Sequence, residues 1–95
     1  MKEYNIEYLR KYVSNSTMKE LENLDLYILD DLTHNYVDVD LNVKYLRKYG
    51  ITNLETVIPN IIEYLLLSHN DFIKKIQKYE ETMTKEEVIS LIENM

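Results

Sequence analysis

The stretch Leu41-Asn42-Val43-Lys44-Tyr45-Leu46-Arg47-Lys48-Tyr49-Gly50 decides the fold class predicted for this 95-residue chain. We predict a helix over about Leu41–Tyr49, because the only glycine of the chain follows it, where a helix end favours a left-handed residue. Ile51 comes next and supplies the apolar residue that such a helix end favours. The stretch therefore predicts a helix with a defined C-terminus.

Three capping boxes elsewhere in the chain predict further helices. In each box a threonine hydroxyl and the glutamate three residues later satisfy backbone donors reciprocally. The boxes are Thr17–Glu20, Thr52–Glu55 and Thr84–Glu87. They predict a long helix over Met18–Leu32, a short turn of helix after the second box and a last helix after the third.

The region between the second and third boxes also reads as helical. Pro59 has no backbone donor, so it either opens a helix over Asn60–Leu67 or kinks the helix before it. Ser68–Asp71 can cap another helix over Phe72–Tyr79. We therefore predict an all-α fold with five to six helices. It would be a small single-domain bundle over residues 1–95, or two stacked helical repeats.

The N-terminal segment supports the repeat interpretation. Ile6, Leu9 and Val13 have the spacing of one helical face, which predicts a first helix over Glu3–Val13. Residues 5–12 recur as residues 42–49 at an offset of 37, which falls in the range of helical repeats. A tyrosine stripe, Tyr4, Tyr8 and Tyr12, runs beside the first apolar face and could form the seam of a homodimer.

Two places in this pattern are ambiguous. Asp25 falls inside the apolar arc of the second helix, so it either pairs with a basic residue or marks a distortion of the helix. Between Val37 and Val43 apolar and polar residues alternate, which is typical of a strand, but a lone strand has no partner. We therefore expect an extended loop over Tyr36–Asp40, with Asp40 capping the next helix. A strand and a helix remain alternative predictions for residues 36–44.

The second half of the chain resembles the helical repeats of the mitochondrial transcription termination factor family. The resembling stretches are Tyr45–Ile51, Leu65–Ser68 and Glu86–Ile92. Pro59 lies earlier after Gly50 than that family's usual proline, and no glycine precedes the final helix. The resemblance implies stacked helices. The family binds nucleic acid through basic surfaces, which this acidic chain lacks overall.

Charge is segregated along the chain. Lysine and arginine number 11 against 17 aspartates and glutamates, for a net charge of −6, yet residues 20–43 contain no lysine or arginine and carry −7. Such a block is either a solvated surface or a docking surface for a basic partner, whose approach it would steer. Its tyrosines would add contact area with a polar tip. The predicted partner-binding residues are Glu20, Glu22, Tyr27, Asp30, Asp31, Tyr36, Asp38 and Asp40.

We expect the partner to be a basic protein, such as a nuclease toxin bound by an immunity protein, or a nuclease whose nucleic-acid groove a phage inhibitor occupies. Nucleic acid is the less favoured partner, because the net charge opposes a polyanion. In that alternative the two repeated segments would bind it through Arg10, Lys11, Arg47 and Lys48.

Nothing in the sequence predicts catalysis. Cysteine is absent and a single glycine leaves no material for a phosphate-binding loop. His34 lies near Asp30, Asp31 and Asp38, but the spacing matches no established metal site, and the last turn of a helix explains this histidine more simply. We predict no enzyme, no metal and no cofactor. Without a signal peptide or a membrane-spanning apolar run, we expect a cytoplasmic protein.

Overall fold

The structure, a computed structural model, describes residues 4–95, and all regular secondary structure in that range is helical. This confirms the all-α prediction. A 3₁₀ helix at Glu7–Lys11 precedes α1 Asn15–Glu22, α2 Leu26–His34, α3 Tyr36–Tyr49, α4 Leu54–Asn60, α5 Ile62–Leu65, α6 His69–Glu80 and α7 Lys85–Glu93. None of these helices combines the length and hydropathy needed to cross a bilayer.

The predicted first α-helix is wrong, although Glu3 lies outside the described residues. The chain forms a 3₁₀ helix at Glu7–Lys11 instead. Leu9 within it and the two flanking residues, Ile6 and Tyr12, are buried and three apart, which is the period of a 3₁₀ helix. Asn5 fixes the start, since its backbone N–H donates to Thr33 Oγ1 at 3.0 Å and its Oδ1 accepts from the N–H of residue 7.

The long second helix is interrupted, as the distortion alternative at Asp25 allowed. α1 ends at Glu22, and the side chain of Asn23 donates to the carbonyl oxygen of Lys19 at 2.9 Å. Asp25 then occupies the N-cap position of α2 and is exposed. An uninterrupted helix would have carried this carboxylate into the apolar arc, at a high desolvation cost.

Two of the three capping boxes do not form. α1 is capped by Ser14, whose Oγ accepts from the N–H of Thr17 at 3.3 Å. The Thr17 hydroxyl donates instead to Glu55 at 2.8 Å, and Glu55 also accepts from the N–H and hydroxyl of Ser14. Because Glu55 binds Ser14 and Thr17 at the start of α1, the capping box starting at Thr52 does not form, and α4 has no side-chain cap.

The other predicted helix ends form as expected. The Thr84 box is complete, with hydrogen bonds in both directions between residues 84 and 87. Ser68 caps α6 by accepting from the N–H of Asp71. Gly50 ends α3 with φ of 122°, and the N–H of Ile51 reaches the carbonyl oxygen of Leu46 at 3.0 Å. Pro59 lies inside α4, near its end.

The predicted loop over residues 36–40 is wrong, because α3 begins at Tyr36. The alternation of apolar residues comprises two interleaved stripes of helical spacing. Val39 and Val43 are fully buried, while Val37 and Leu41 are 54% and 40% exposed on the opposite side. α3 packs against the 3₁₀ helix, α2, α4, α5 and α6, so it is the central element of the core.

Candidate functional site

Asp40 lies in the second turn of α3 and binds three side chains rather than capping a helix. The Tyr12 hydroxyl donates to Asp40 Oδ1 at 2.6 Å. The Lys11 Nζ lies 3.0 Å from Oδ1, and the Lys44 Nζ lies 2.9 Å from Oδ2. The cations that neutralise this carboxylate come from both repeated segments.

The surroundings of Asp40 hold it in the charged form. Burial alone would raise the pKa of Asp40, but the hydrogen bonds from Tyr12, Lys44 and Lys11 outweigh it and lower the pKa from 3.8 to about 2. Burial, followed by the hydrogen bond to Asp40, raises the pKa of Tyr12. Asp40 is therefore a charged structural hub joining the N-terminal segment to α3.

Asp38 takes part in a second internal network. Its Oδ1 accepts from the N–H of His69 at 3.1 Å. The fully buried Asn42 donates to the carbonyl oxygens of Leu65 and Leu67 at 3.0 and 2.9 Å, and its Oδ1 lies 2.9 Å from His69 Nδ1. His69 is half-buried, because it connects α6 to α3.

The remaining acidic residues lie on α1 and α2. Glu20, Asp25 and Asp31 are exposed, and no ion pair joins them to a cation within residues 4–95. Glu22 is also exposed, and its charge contributes to the raised pKa of Arg10, after the hydrogen bond and charge of Glu7. The acidic block is therefore split between a half-buried part on α3, which has partners within the chain, and a mostly exposed part on α1 and α2.

His34 is the last residue of α2, as predicted, and its ring contacts the preceding turn of the same helix. Its Nδ1 lies 2.8 Å from the carbonyl oxygen of Asp30 and 3.3 Å from Asp30 Oδ1. Within residues 4–95 no three histidine, aspartate or glutamate side chains come together in a metal-binding arrangement.

Exposed apolar side chains concentrate in the same part of the chain. Within residues 4–95 six large apolar residues are exposed, and five of them fall in the stretch 20–43 that lacks lysine and arginine. The five are Leu26, Tyr27, Tyr36, Val37 and Leu41. Leu26 and Tyr27 are the most exposed, at 66% and 68%. The ring of Tyr36 lies 6.1 Å from that of Tyr8.

Leu26 was not among the predicted partner-binding residues, although its position carries a signal in the sequence. It lies off the apolar stripe of the predicted second helix, and an apolar residue off the stripe is a readable signal of an exposed contact residue. Tyr27, Asp31 and His34 follow one another at helical spacing and are all exposed. We call the acidic surface the exposed residues of α1, of α2 and of the N-cap of α2, together with the half-buried Asp30. It comprises Glu20, Glu22, Asp25, Leu26, Tyr27, Asp30 and Asp31.

Most cations assigned to the nucleic-acid alternative have partners inside the protein. Arg10 Nε donates to Glu7 at 2.6 Å, and Lys11 pairs with Asp40. The Arg47 guanidinium lies 5.2 Å from the centroid of the Tyr12 ring. Lys48 is exposed and has no ion pair in the described part of the chain.

The tyrosine stripe is turned inward. Tyr12 is buried against Asp40, and the hydroxyl of the half-buried Tyr8 donates to the carbonyl oxygen of Leu32 at 2.6 Å. Tyr8 and Tyr12 attach the 3₁₀ helix to α2 and α3, so contacts within the chain already occupy two of the three side chains proposed for a dimer seam.

Comparison of the chain with protein-family models, curated proteins and solved structures finds no match.

Proposed function

We propose that this protein is a non-catalytic helical binder that covers a basic surface of another protein with its acidic surface. One observation carries the proposal. Leu26 and Tyr27, the two most exposed large apolar residues among residues 4–95, lie on the acidic surface, in a stretch of chain that has no lysine or arginine.

The physical argument combines charge with apolar contact area. Exposed carboxylates without neutralising cations repel one another, and a basic partner relieves that repulsion and is steered toward it. Leu26 and Tyr27 supply the apolar area that loses water on contact, and tyrosine is enriched among residues that dominate binding energy. Charge gives the encounter its rate and orientation, while these two side chains give it affinity.

The nucleic-acid groove of a nuclease is the partner surface that this chemistry fits best. Such a groove is basic because it binds phosphates, and an acidic helix with an apolar contact can occupy it in place of a polyanion. An immunity protein for a nuclease toxin or a phage inhibitor of a nuclease would act in this way. Direct nucleic-acid binding has less support, since Arg10, Lys11 and Arg47 already have internal partners.

The test compares two triple charge reversals. One replaces acidic-surface residues (Glu20→Lys, Asp25→Lys, Asp31→Lys) and the other replaces exposed glutamates elsewhere (Glu63→Lys, Glu81→Lys, Glu86→Lys). Each raises the net charge by the same amount. The first triple removes an acidic residue at one helix N-terminus, Asp25, and the control removes one at two, Glu63 and Glu86. Asp38 and Asp40 are left intact, because reversing them would damage the fold.

The probe is protamine, an arginine-rich polycation, titrated calorimetrically at about 50 mM salt, where charge interactions are weakly screened. We expect the acidic-surface triple to bind about tenfold more weakly than the control triple, which is about 1.4 kcal/mol. Equal losses in the two triples would contradict the proposal, because they would mean that only net charge matters.

A second assay addresses the class of partner. Basic nucleases are assayed on fluorescent DNA or RNA with and without the protein, and inhibition should disappear in the acidic-surface triple and persist in the control. If protamine binding follows the prediction but no nuclease in the panel is inhibited, the result supports a basic partner and contradicts the proposal that this partner is a nuclease.

A further inference from the structure

Inside this protein, tyrosine rings that lie beside carboxylates hold cations. The Tyr12 hydroxyl donates to Asp40 at 2.6 Å, and the Arg47 guanidinium lies 5.2 Å from the centroid of the Tyr12 ring. Tyr49 repeats this combination, since its hydroxyl donates to a carboxylate at 2.9 Å and the Lys85 ammonium lies 5.3 Å from the centroid of its ring. The negative face of each ring attracts the cation, and the carboxylate adds a full charge to that attraction.

Tyr27 and Asp31 bring the same two groups together on the surface of α2. They are four residues apart in this helix, so their side chains are neighbours on its surface. Tyr27 is 68% exposed, and Asp31 is exposed as well. Within residues 4–95 no aromatic ring or cation contacts the Tyr27 ring, and no cation pairs with the Asp31 carboxylate. Both groups are therefore accessible to a partner.

The helix itself supplies no lysine or arginine to this pair. A cation on the same helix face would lie three or four residues away from the ring or the carboxylate. Those positions are 23, 24, 30 and 31 around Tyr27, and 27, 28, 34 and 35 around Asp31, and none of them is a lysine or arginine. His34 is one of them, and its Nδ1 lies 2.8 Å from the carbonyl oxygen of Asp30. The pair therefore differs from the two internal examples in having no cation from the described part of the chain.

We propose that Tyr27 and Asp31 bind one arginine side chain of the basic partner, with its guanidinium stacked on the ring and paired with the carboxylate. Arginine fits both groups at once, because its guanidinium is planar, stacks on aromatic faces and presents a fork of donors that matches a carboxylate. Lysine fits them less well, since its ammonium is a compact and strongly hydrated point charge. This inference rests on the proposed function and goes further, because it names the residue type that the partner presents to the acidic surface.

The test uses two peptides of equal length and charge, octa-arginine and octalysine, titrated calorimetrically into the whole chain at about 50 mM salt. We expect the protein to bind octa-arginine about fivefold more tightly than octalysine, because arginine stacks on the ring while its fork of donors pairs with the carboxylate. Tyr27→Leu keeps an exposed apolar side chain but removes the aromatic face, so this preference should fall below about twofold. Tyr27→Phe keeps the ring and should keep the preference.

Two control variants isolate the ring and the carboxylate. Tyr36→Leu is the control for the ring, since Tyr36 is 54% exposed on α3, and it should leave the preference for octa-arginine unchanged. Asp25→Asn is the control for Asp31→Asn, because each variant removes one exposed charge of the acidic surface and Asp25 lies at the N-cap of α2. Asp31→Asn should weaken the binding of octa-arginine about threefold more than Asp25→Asn does.

The outcomes that overturn the arginine site differ from those that overturn the proposed function. If the wild-type protein binds neither peptide, both proposals are contradicted. If it binds the two peptides equally, or if Tyr27→Leu keeps the preference as Tyr36→Leu does, the acidic surface binds a basic partner without an arginine site. Equal losses in Asp31→Asn and Asp25→Asn would also overturn the arginine site, because they would mean that the position of the carboxylate does not matter.

Discussion

Residues 5–12 and residues 42–49 have nearly the same sequence and different structures. The first segment contains a 3₁₀ helix and the second is the C-terminal part of α3. Burial is nevertheless similar: Leu9 and Leu46 are both fully buried, and Tyr12 and Tyr49 are both nearly so. The pattern of side chains therefore determines which residues are buried, and the surroundings determine the type of helix.

The polar contacts of the two segments agree at one end. The Tyr12 hydroxyl donates to Asp40 at 2.6 Å, and the Tyr49 hydroxyl donates to Glu80 at 2.9 Å. Each segment thus ends in a buried tyrosine that reaches a carboxylate on a later part of the chain.

The two segments differ at the asparagine that opens them and at the residue that follows them. Asn42 is buried and binds the α5–α6 connection, whereas Asn5 is exposed and forms a local turn. Gly50 leaves α3 with a positive φ, while the corresponding residue Val13 cannot adopt that backbone cheaply. The predictions that follow change these differences one at a time.

Asn42→Ala should have the largest effect. It removes three hydrogen bonds at a fully buried site and leaves the carbonyl oxygens of Leu65 and Leu67 without these partners. We expect the free energy of unfolding to fall by about 3 kcal/mol. Urea unfolding measures it, and the matched variant Asn5→Ala should cost less than about 1 kcal/mol. Equal losses in the free energy of unfolding would contradict this difference between the two asparagines.

Gly50→Val places the residue of the first segment at the end of the second. The φ of 122° is strained for a β-branched residue, and an added Cβ would lie 3.0 Å from Ile89 Cδ1. We expect a loss of about 2–3 kcal/mol in the free energy of unfolding, measured thermally or with urea. Gly50→Ala should lose less, because alanine lacks the branched carbon. A neutral Gly50→Val would mean that the end of α3 is not constrained by φ.

Asp40→Asn weakens the contact that brings the two segments together. The pKa of Asp40 in the folded protein, about 2, is below its ordinary value of 3.8, so its charge stabilises the fold above about pH 4. We expect the variant to lose about 1–2 kcal/mol at pH 7, after solvent screening is allowed for. The difference from wild type should shrink as the pH falls from 4 to 2.

Urea unfolding at pH 7, 4 and 2 checks the behaviour of Asp40. Glu80→Gln is the matched control, since it changes the carboxylate that accepts from Tyr49 and has no ion pair within the described residues. A difference between Asp40→Asn and wild type that stays constant over this pH range would contradict the role of the charge.

The sequence was sufficient wherever the signal was local. The helix ends at Ser68, Thr84 and Gly50 depend on residues a few positions apart, and each forms as predicted. It was insufficient where a distant residue competes. Glu55 binds Ser14, 41 residues away, instead of capping α4.

The candidate site divides in the same way. The exposed acidic residues on α1 and α2 were readable from the absence of lysine and arginine between positions 20 and 43. The internal role of Asp40 depends on Lys11 and Tyr12, which only the fold brings near it. The alternation from Val37 to Val43 suggested an extended segment because two helical stripes, one buried and one exposed, interleave at intervals of two residues.

The location of the acidic surface is the central claim, and an NMR titration of backbone amides tests it most directly. The uniformly ¹⁵N-labelled protein is titrated with protamine, and the shift of each amide is followed. We predict that the largest shifts fall within residues 20–31, at the end of α1 and along α2. Shifts that are largest on residues 44–48, or that spread evenly over all helices, would contradict the account.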